Sequence, residues 1–106
     1  MPKFLISASY SAEGLKGLQK DKASGRRQAV TAAVEGLGGK IEGFYYALGE
    51  YDAFVIADLP DNVAATALGV AVSAAGLART RTIALLTVEE TDRALEKSTN
   101  YRAPGR

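Results

Sequence analysis

The chain has 106 residues, with 13 basic side chains against 12 acidic ones and neither cysteine nor histidine. Without cysteine there are no disulfides, thiolate nucleophiles or zinc–thiolate sites. Without histidine the commonest metal ligand, the usual haem ligand and the usual general base near neutral pH are also gone. A net charge of +1 lacks the one-sided basic excess of a dedicated nucleic-acid binder.

The elements follow in chain order. Met1-Pro2-Lys3-Phe4-Leu5-Ile6 has a short apolar run without a cleavage-site pattern, so it opens a strand rather than a leader. Phe4, Ile6, Ala8 and Tyr10 alternate with Lys3, Ser7 and Ser9, a two-residue period that defines the first strand. Ser11 then caps a helical region reaching Leu37, whose best part is the i, i+3, i+4, i+7 stripe of Val30, Ala33, Val34 and Leu37. Asp21 to Gly25 makes a poor helix interior, so a kink is expected there with Ser24 as a second cap. Gly38-Gly39 ends the helix.

Strands two and three take Lys40 to Leu48 and Tyr51 to Leu59, and the short link at Gly49-Glu50 makes them an antiparallel hairpin. Pro60 stops the strand and Asp61 caps a second helix running to Ala75, which Gly76 closes. Strand four takes Arg79 to Val88, and Glu89 to Lys97 is a short polar helix. Residues 1–97 are read as one domain and 98–106 as a flexible tail. The order β-α-β-β-α-β is the ferredoxin-like α+β arrangement, a four-stranded antiparallel sheet with two helices on one face.

Two features point to self-association. Nothing charged lies between Asn62 and Ala78. The second helix sets Ala64, Ala67, Leu68, Ala71, Val72 and Ala75 against the core, yet its other face (Ala65, Thr66, Gly69, Val70, Ser73, Ala74) is equally small or apolar. Large residues also occupy both phases of the strands: Phe44, Tyr46 and Leu48 against Ile41 and Tyr45, then Phe54 and Ile56 against Val55. A sheet covered on one side only would leave one of these sets seeking a homo-oligomeric partner.

The segment Gly49-Glu50-Tyr51-Asp52, followed by a strand and Leu59-Pro60-Asp61, resembles the motif that names the GYD domain family. Gly76-Leu77-Ala78-Arg79-Thr80-Arg81-Thr82 is similar to that family's entry into its last strand, and Leu37-Gly38-Gly39 fits its first helix end. The resemblance covers Phe4 to about Glu90. It implies a ferredoxin-like, dimeric α/β-barrel type fold of unassigned function. The same G-x-Y-D turn and T-x-T strand are more distantly similar to the effector-binding domains of Lrp/AsnC-type regulators, which oligomerise and bind small ligands between subunits.

Candidate binding residues are Tyr10, Tyr51, Asp52, Arg79 and Arg81, read as lining a small-ligand cleft near a subunit interface. Arg79 and Arg81 share a strand face and suit a carboxylate or phosphate. Each has a plainer reading. Asp52 beside a turn accepts backbone N–H bonds, Tyr51 packs at an interface, and the arginines are solvated edge charges or pair with Glu50 or Asp52 across subunits. Of Tyr45 and Tyr46, which alternate, one joins Tyr10 on the open sheet face. Lys16, Lys20, Lys22, Arg26 and Arg27 form a solvated helix face, and the string Gly14-Leu15-Lys16-Gly17 lacks the context of an RNA-binding loop. No catalytic residue, metal site or cofactor motif is identified. The expected function is a cytoplasmic, non-enzymatic homo-oligomer that binds a small molecule, with no nucleic-acid or membrane partner. The alternatives are a cofactor-independent enzyme resembling antibiotic-biosynthesis monooxygenases or muconolactone-type isomerases, and a purely structural assembly module.

Overall fold

Caps and close glycine contacts fix the element ends in the computed structural model, which describes residues 1–106. The order is β1 (Lys3–Tyr10), α1 (Ala12–Gly36), β2 (Lys40–Tyr46), β3 (Ala53–Asp58), α2 (Asn62–Ala74), β4 (Ala78–Leu85) and α3 (Val88–Leu95). Ser11 caps α1, its hydroxyl accepting from the Gly14 N–H at 3.1 Å. The start of α1 is pinned to the turn before β4, because the Ser11 N–H donates to the Leu77 carbonyl at 2.9 Å. A Cβ on Gly14 would lie 1.9 Å from that same carbonyl oxygen, so only glycine fits there. At the other end Gly38 takes a φ of 82°, and the Gly39 and Gly38 N–H groups return to the Val34 and Glu35 carbonyls. Asp61 caps α2 through the Ala64 N–H at 2.9 Å, as its position after Pro60 predicts.

The predicted break in α1 falls at Lys22, with φ 67° and ψ 167°. Ser24 therefore sits inside the second segment and does not cap it. Few side chains adopt this backbone region, and such strain costs about 1–3 kcal/mol.

The four strands run in the order β2-β3-β1-β4 with every neighbouring pair antiparallel, the ferredoxin-like topology. Pairing sets Phe4 opposite Ala57 and Ile6 opposite Val55, facing the helices. With Val34 from α1, Leu59, and Ala65 and Leu68 from α2, these residues make the buried core. A bulge between Ile41 and Gly43 changes the phase of β2, so Ile41 joins Phe44 in packing against the core. Strict alternation had separated those two. α2 is turned partway from its predicted stripe: Leu68 is buried and Ala64 and Val72 pack on the core as predicted, but Ala65 from the other face is buried too, while Ala67, Ala71 and Ala75 are exposed. The helix sits beside β4 and presents the edge between the two small faces, and alanine on both faces gave periodicity no means of choosing.

A third helix follows β4. Thr87 and Glu90 form a reciprocal cap: the Glu90 N–H donates to the Thr87 hydroxyl at 3.0 Å and the Thr87 N–H to the Glu90 carboxylate at 2.8 Å. No α3 residue is buried, and Val88 and Leu95 stand 74% and 77% exposed. The molecule spans 57 × 32 × 23 Å with a radius of gyration of 16.9 Å, against about 13 Å for a compact domain of this length. Its accessible surface is 7598 Å², against roughly 5,700 Å² for a compact monomer of this mass.

Two outcomes are expected. Lys22→Gly removes the strained side chain and should stabilise the chain by about 1 kcal/mol in urea unfolding, whereas Lys22→Val should destabilise it. The Glu90 carboxyl is held below the usual carboxylate range, first by the Thr87 backbone N–H and then by the Thr87 hydroxyl. A depressed folded-state pKa contributes stability above the ordinary carboxylate range and loses it as pH falls through the lowered value. Amide exchange at Thr87–Thr91 should therefore accelerate in acid before the β-sheet amides do, and Glu90→Gln should flatten that pH dependence.

Candidate functional site

The Gly49-Glu50-Tyr51-Asp52 turn is sewn to the end of β1. The Asp52 N–H donates to the Ala8 carbonyl at 2.8 Å, and its carboxylate accepts the Tyr10 N–H at 2.8 Å. The Ala47 N–H closes the loop on the Asp52 carbonyl at 2.9 Å, and the Ser9 hydroxyl donates to the Glu50 carbonyl at 3.1 Å. Asp52 thus holds backbone on both sides, which matches the plainer of its two readings. A carboxylate accepting a backbone N–H in a half-buried position is a strong, charge-assisted bond.

Tyr51 and Arg81 do come together. The Arg81 guanidinium donates to the Tyr51 hydroxyl at 3.0 Å, and this bond is the leading cause that raises its pKa further above the ordinary value. The Tyr51 ring meets Phe54 edge-on, with centroids 6.0 Å apart. Register places Arg79 opposite Ser9 and Arg81 opposite Ser7, so both arginines lie on the sheet face that carries no helix. That face also presents Leu5, Phe54, Ile56 and Ile83, with Tyr45 at 66% exposure. At its far end the Lys3 ammonium binds Glu42 and, at 2.9 Å, Asp58. These two hydrogen bonds, Glu42 first, raise the Lys3 pKa.

Tyr10 is on the other side. It shares the helix face with Phe4 and Ile6, so the five predicted residues do not form one cleft. Its phenol neighbours that of Tyr46, which alternation also directs toward the helices, and Tyr45 is the one turned to the open face. Burial raises the Tyr46 pKa, and the neighbouring Tyr10 phenol adds to the shift. The Tyr46 hydroxyl donates to the Ala23 carbonyl at 3.3 Å, beside the break in α1.

A second concavity opens here. α1 packs on β1 and β2, while α2 packs on β4, which leaves the two helices apart. Between them lies a cleft of about 310 Å³ walled by Gly14, Gly17 and Ala33 on one side and Ala71, Val72 and Ala75 on the other. Beneath it an apolar pocket of about 60 Å³ reaches Val30, Phe44, Val55 and Leu68. Tyr10 and Arg26 line both chambers. The sequence reading assigned Arg26 to a solvated helix face. The one available signal was the poor helix at Asp21–Gly25, because a break there resets which residues face inward. A further groove of about 600 Å³ runs between α2 and the helix side of β4, past Thr66, Gly69, Val70, Thr80 and Thr82. No cluster of three or more carboxylate, histidine or cysteine side chains is placed to hold a metal ion. No helix is long and apolar enough to cross a membrane.

A ferredoxin-like α+β domain with a G-x-Y-D turn latched to its first strand, and one sheet face uncovered, is the class of protein that these observations define. The GYD domain model matches residues 4–95, and the chain belongs to the GYD domain family. Comparison with curated proteins gives no match, and comparison with solved structures gives none. The likeness to Lrp/AsnC-type effector domains therefore has no support from these comparisons.

The latch is directly testable. Asp52→Ala should destabilise the fold by about 2 kcal/mol in denaturant unfolding, because it leaves the Tyr10 N–H without its charged acceptor. Tyr51→Phe, which removes an exposed hydroxyl, should change stability by less than about 0.5 kcal/mol.

Proposed function

We propose that this chain is a non-enzymatic, self-associating domain that pairs its open sheet faces between copies and holds a small anionic ligand beside Tyr51, Arg79 and Arg81. The observation that carries the reading is the helix-free face itself. It sets Leu5, Phe54, Ile56 and Ile83 side by side, in a chain whose surface exceeds that of a compact monomer by roughly 1,900 Å². An antiparallel sheet tolerates one solvated face when that face is polar, and here its centre is apolar. Arg79 and Arg81 stand two residues apart along β4 on the same face, a spacing that suits a carboxylate or phosphate. Asp52, one of the two carboxylates of the turn, is already occupied by backbone, which favours binding over acid–base chemistry at this corner.

Light scattering across a range of protein concentrations tests the assembly. The native chain is expected to be a dimer or larger at micromolar concentration. Ile83→Glu, with Ile83 already 46% exposed, should give a monomer with unchanged circular dichroism. A native chain that remains monomeric throughout would overturn the reading. Native mass spectrometry tests the ligand: a carboxylate- or phosphate-bearing molecule retained by the native chain should be lost from Arg81→Ala.

A further inference from the structure

We infer that the cleft between α1 and α2 is a binding site for a small apolar carboxylic acid, with its carboxylate on Arg26 and its hydrocarbon in the pocket beneath. This site lies on the opposite side of the sheet from Tyr51 and Arg81 and does not depend on assembly through the open face.

The chemistry of the lining sets the ligand class. The inner pocket is walled by Val30, Phe44, Val55, Leu68 and Val72. Its size of about 60 Å³ admits a short branched chain or part of one ring, and excludes a long acyl tail. Arg26 lines both this pocket and the outer cleft, together with Tyr10, Leu68, Val72 and Ala78, so it is the one charged residue at their junction. Its one ion-pair contact is with Asp21, at 4.0 Å, and it makes no hydrogen bond to a protein acceptor. An arginine with its donors free beside an apolar recess matches an acid whose charge stays at the mouth while its hydrocarbon goes inward.

The backbone supports the same site. α1 breaks at Lys22, in a conformation that a lysine seldom adopts, between Asp21 and Arg26. Before the break Gly14, Gly17 and Asp21 face the cleft, and after it Arg26, Val30 and Ala33 line the two chambers. An unbroken helix would not place both sets over one opening, since its phase runs on at 3.6 residues per turn. The strain at Lys22 thus coincides with the geometry that brings Arg26 over the pocket. Glycine and alanine on the facing walls keep the outer cleft open where larger side chains would close it.

The test is a nitrogen-15 amide titration of the intact chain with isovalerate, benzoate and phenylacetate, and with benzamide as the uncharged counterpart of benzoate. Acids are expected to shift amides of Asp21–Val30 and Leu68–Ala75 and to bind more tightly than benzamide. Arg26→Met keeps the stem and removes the charge, and should weaken the acids by about tenfold while leaving benzamide unchanged. Val72→Phe should fill the recess and abolish binding of both. Thermal melts of each variant separate lost binding from lost folding. Ile83→Glu should bind the acids as the native chain does, which keeps this result distinct from the failure of open-face assembly. The inference is overturned if no acid shifts these amides at millimolar concentration. It is equally overturned if benzamide binds as well as benzoate, or if Arg26→Met binds the acids unchanged.

Discussion

A four-stranded sheet of short strands has two faces, and this chain supplies helices for only one of them. Most other features follow from that shortage. The helix side collects Phe4, Ile6, Val55 and Ala57 into a core with Val34, Leu59, Ala65 and Leu68. The other side retains apolar residues in its middle with charged groups at its ends. The helices do not close over their own side completely either. α1 leans toward β2 and α2 toward β4, and the space between them remains a cleft.

The G-x-Y-D turn works within this frame as a structural fastening. Its aspartate ties the hairpin between β2 and β3 to the end of β1, through one carboxylate bond and one backbone bond. The tyrosine is directed outward to Phe54 and Arg81. The motif that identifies the family thus divides into one residue that holds the backbone and one that faces the open surface. Chemistry assigned to the aspartate from its sequence position alone would compete with a bond the fold already uses.

The opposite end of the molecule obeys different physics. α3 is fixed by its own cap and by no burial, so it exists through local hydrogen bonds while its apolar side chains remain in water. Such a helix gains little from tertiary packing, the usual source of helical stability. α3 and the segment after it are exposed almost throughout, and so account for part of the molecule's unusual surface area.

Local signals determined the secondary structure. Alternation marked β1, serine, aspartate and glycine marked the helix ends, and a turn residue pair marked the hairpin, because each of these depends on neighbours within a few residues. The element order then sufficed for the ferredoxin-like topology. What the sequence left open was every choice that rests on distant contacts. The phase of β2 was decided by a bulge at Glu42, and the facing of α2 by its position beside β4, since alanine on both sides carries no preference. Tyr10 and Arg81 looked like neighbours along a line of candidate residues, yet pleating sent them to opposite faces of the sheet. Arg26 looked solvated until the break at Lys22 turned it over an apolar recess. A side chain's direction depends on the register and helix phase set by packing across the whole domain, and those are decided only when the chain closes on itself.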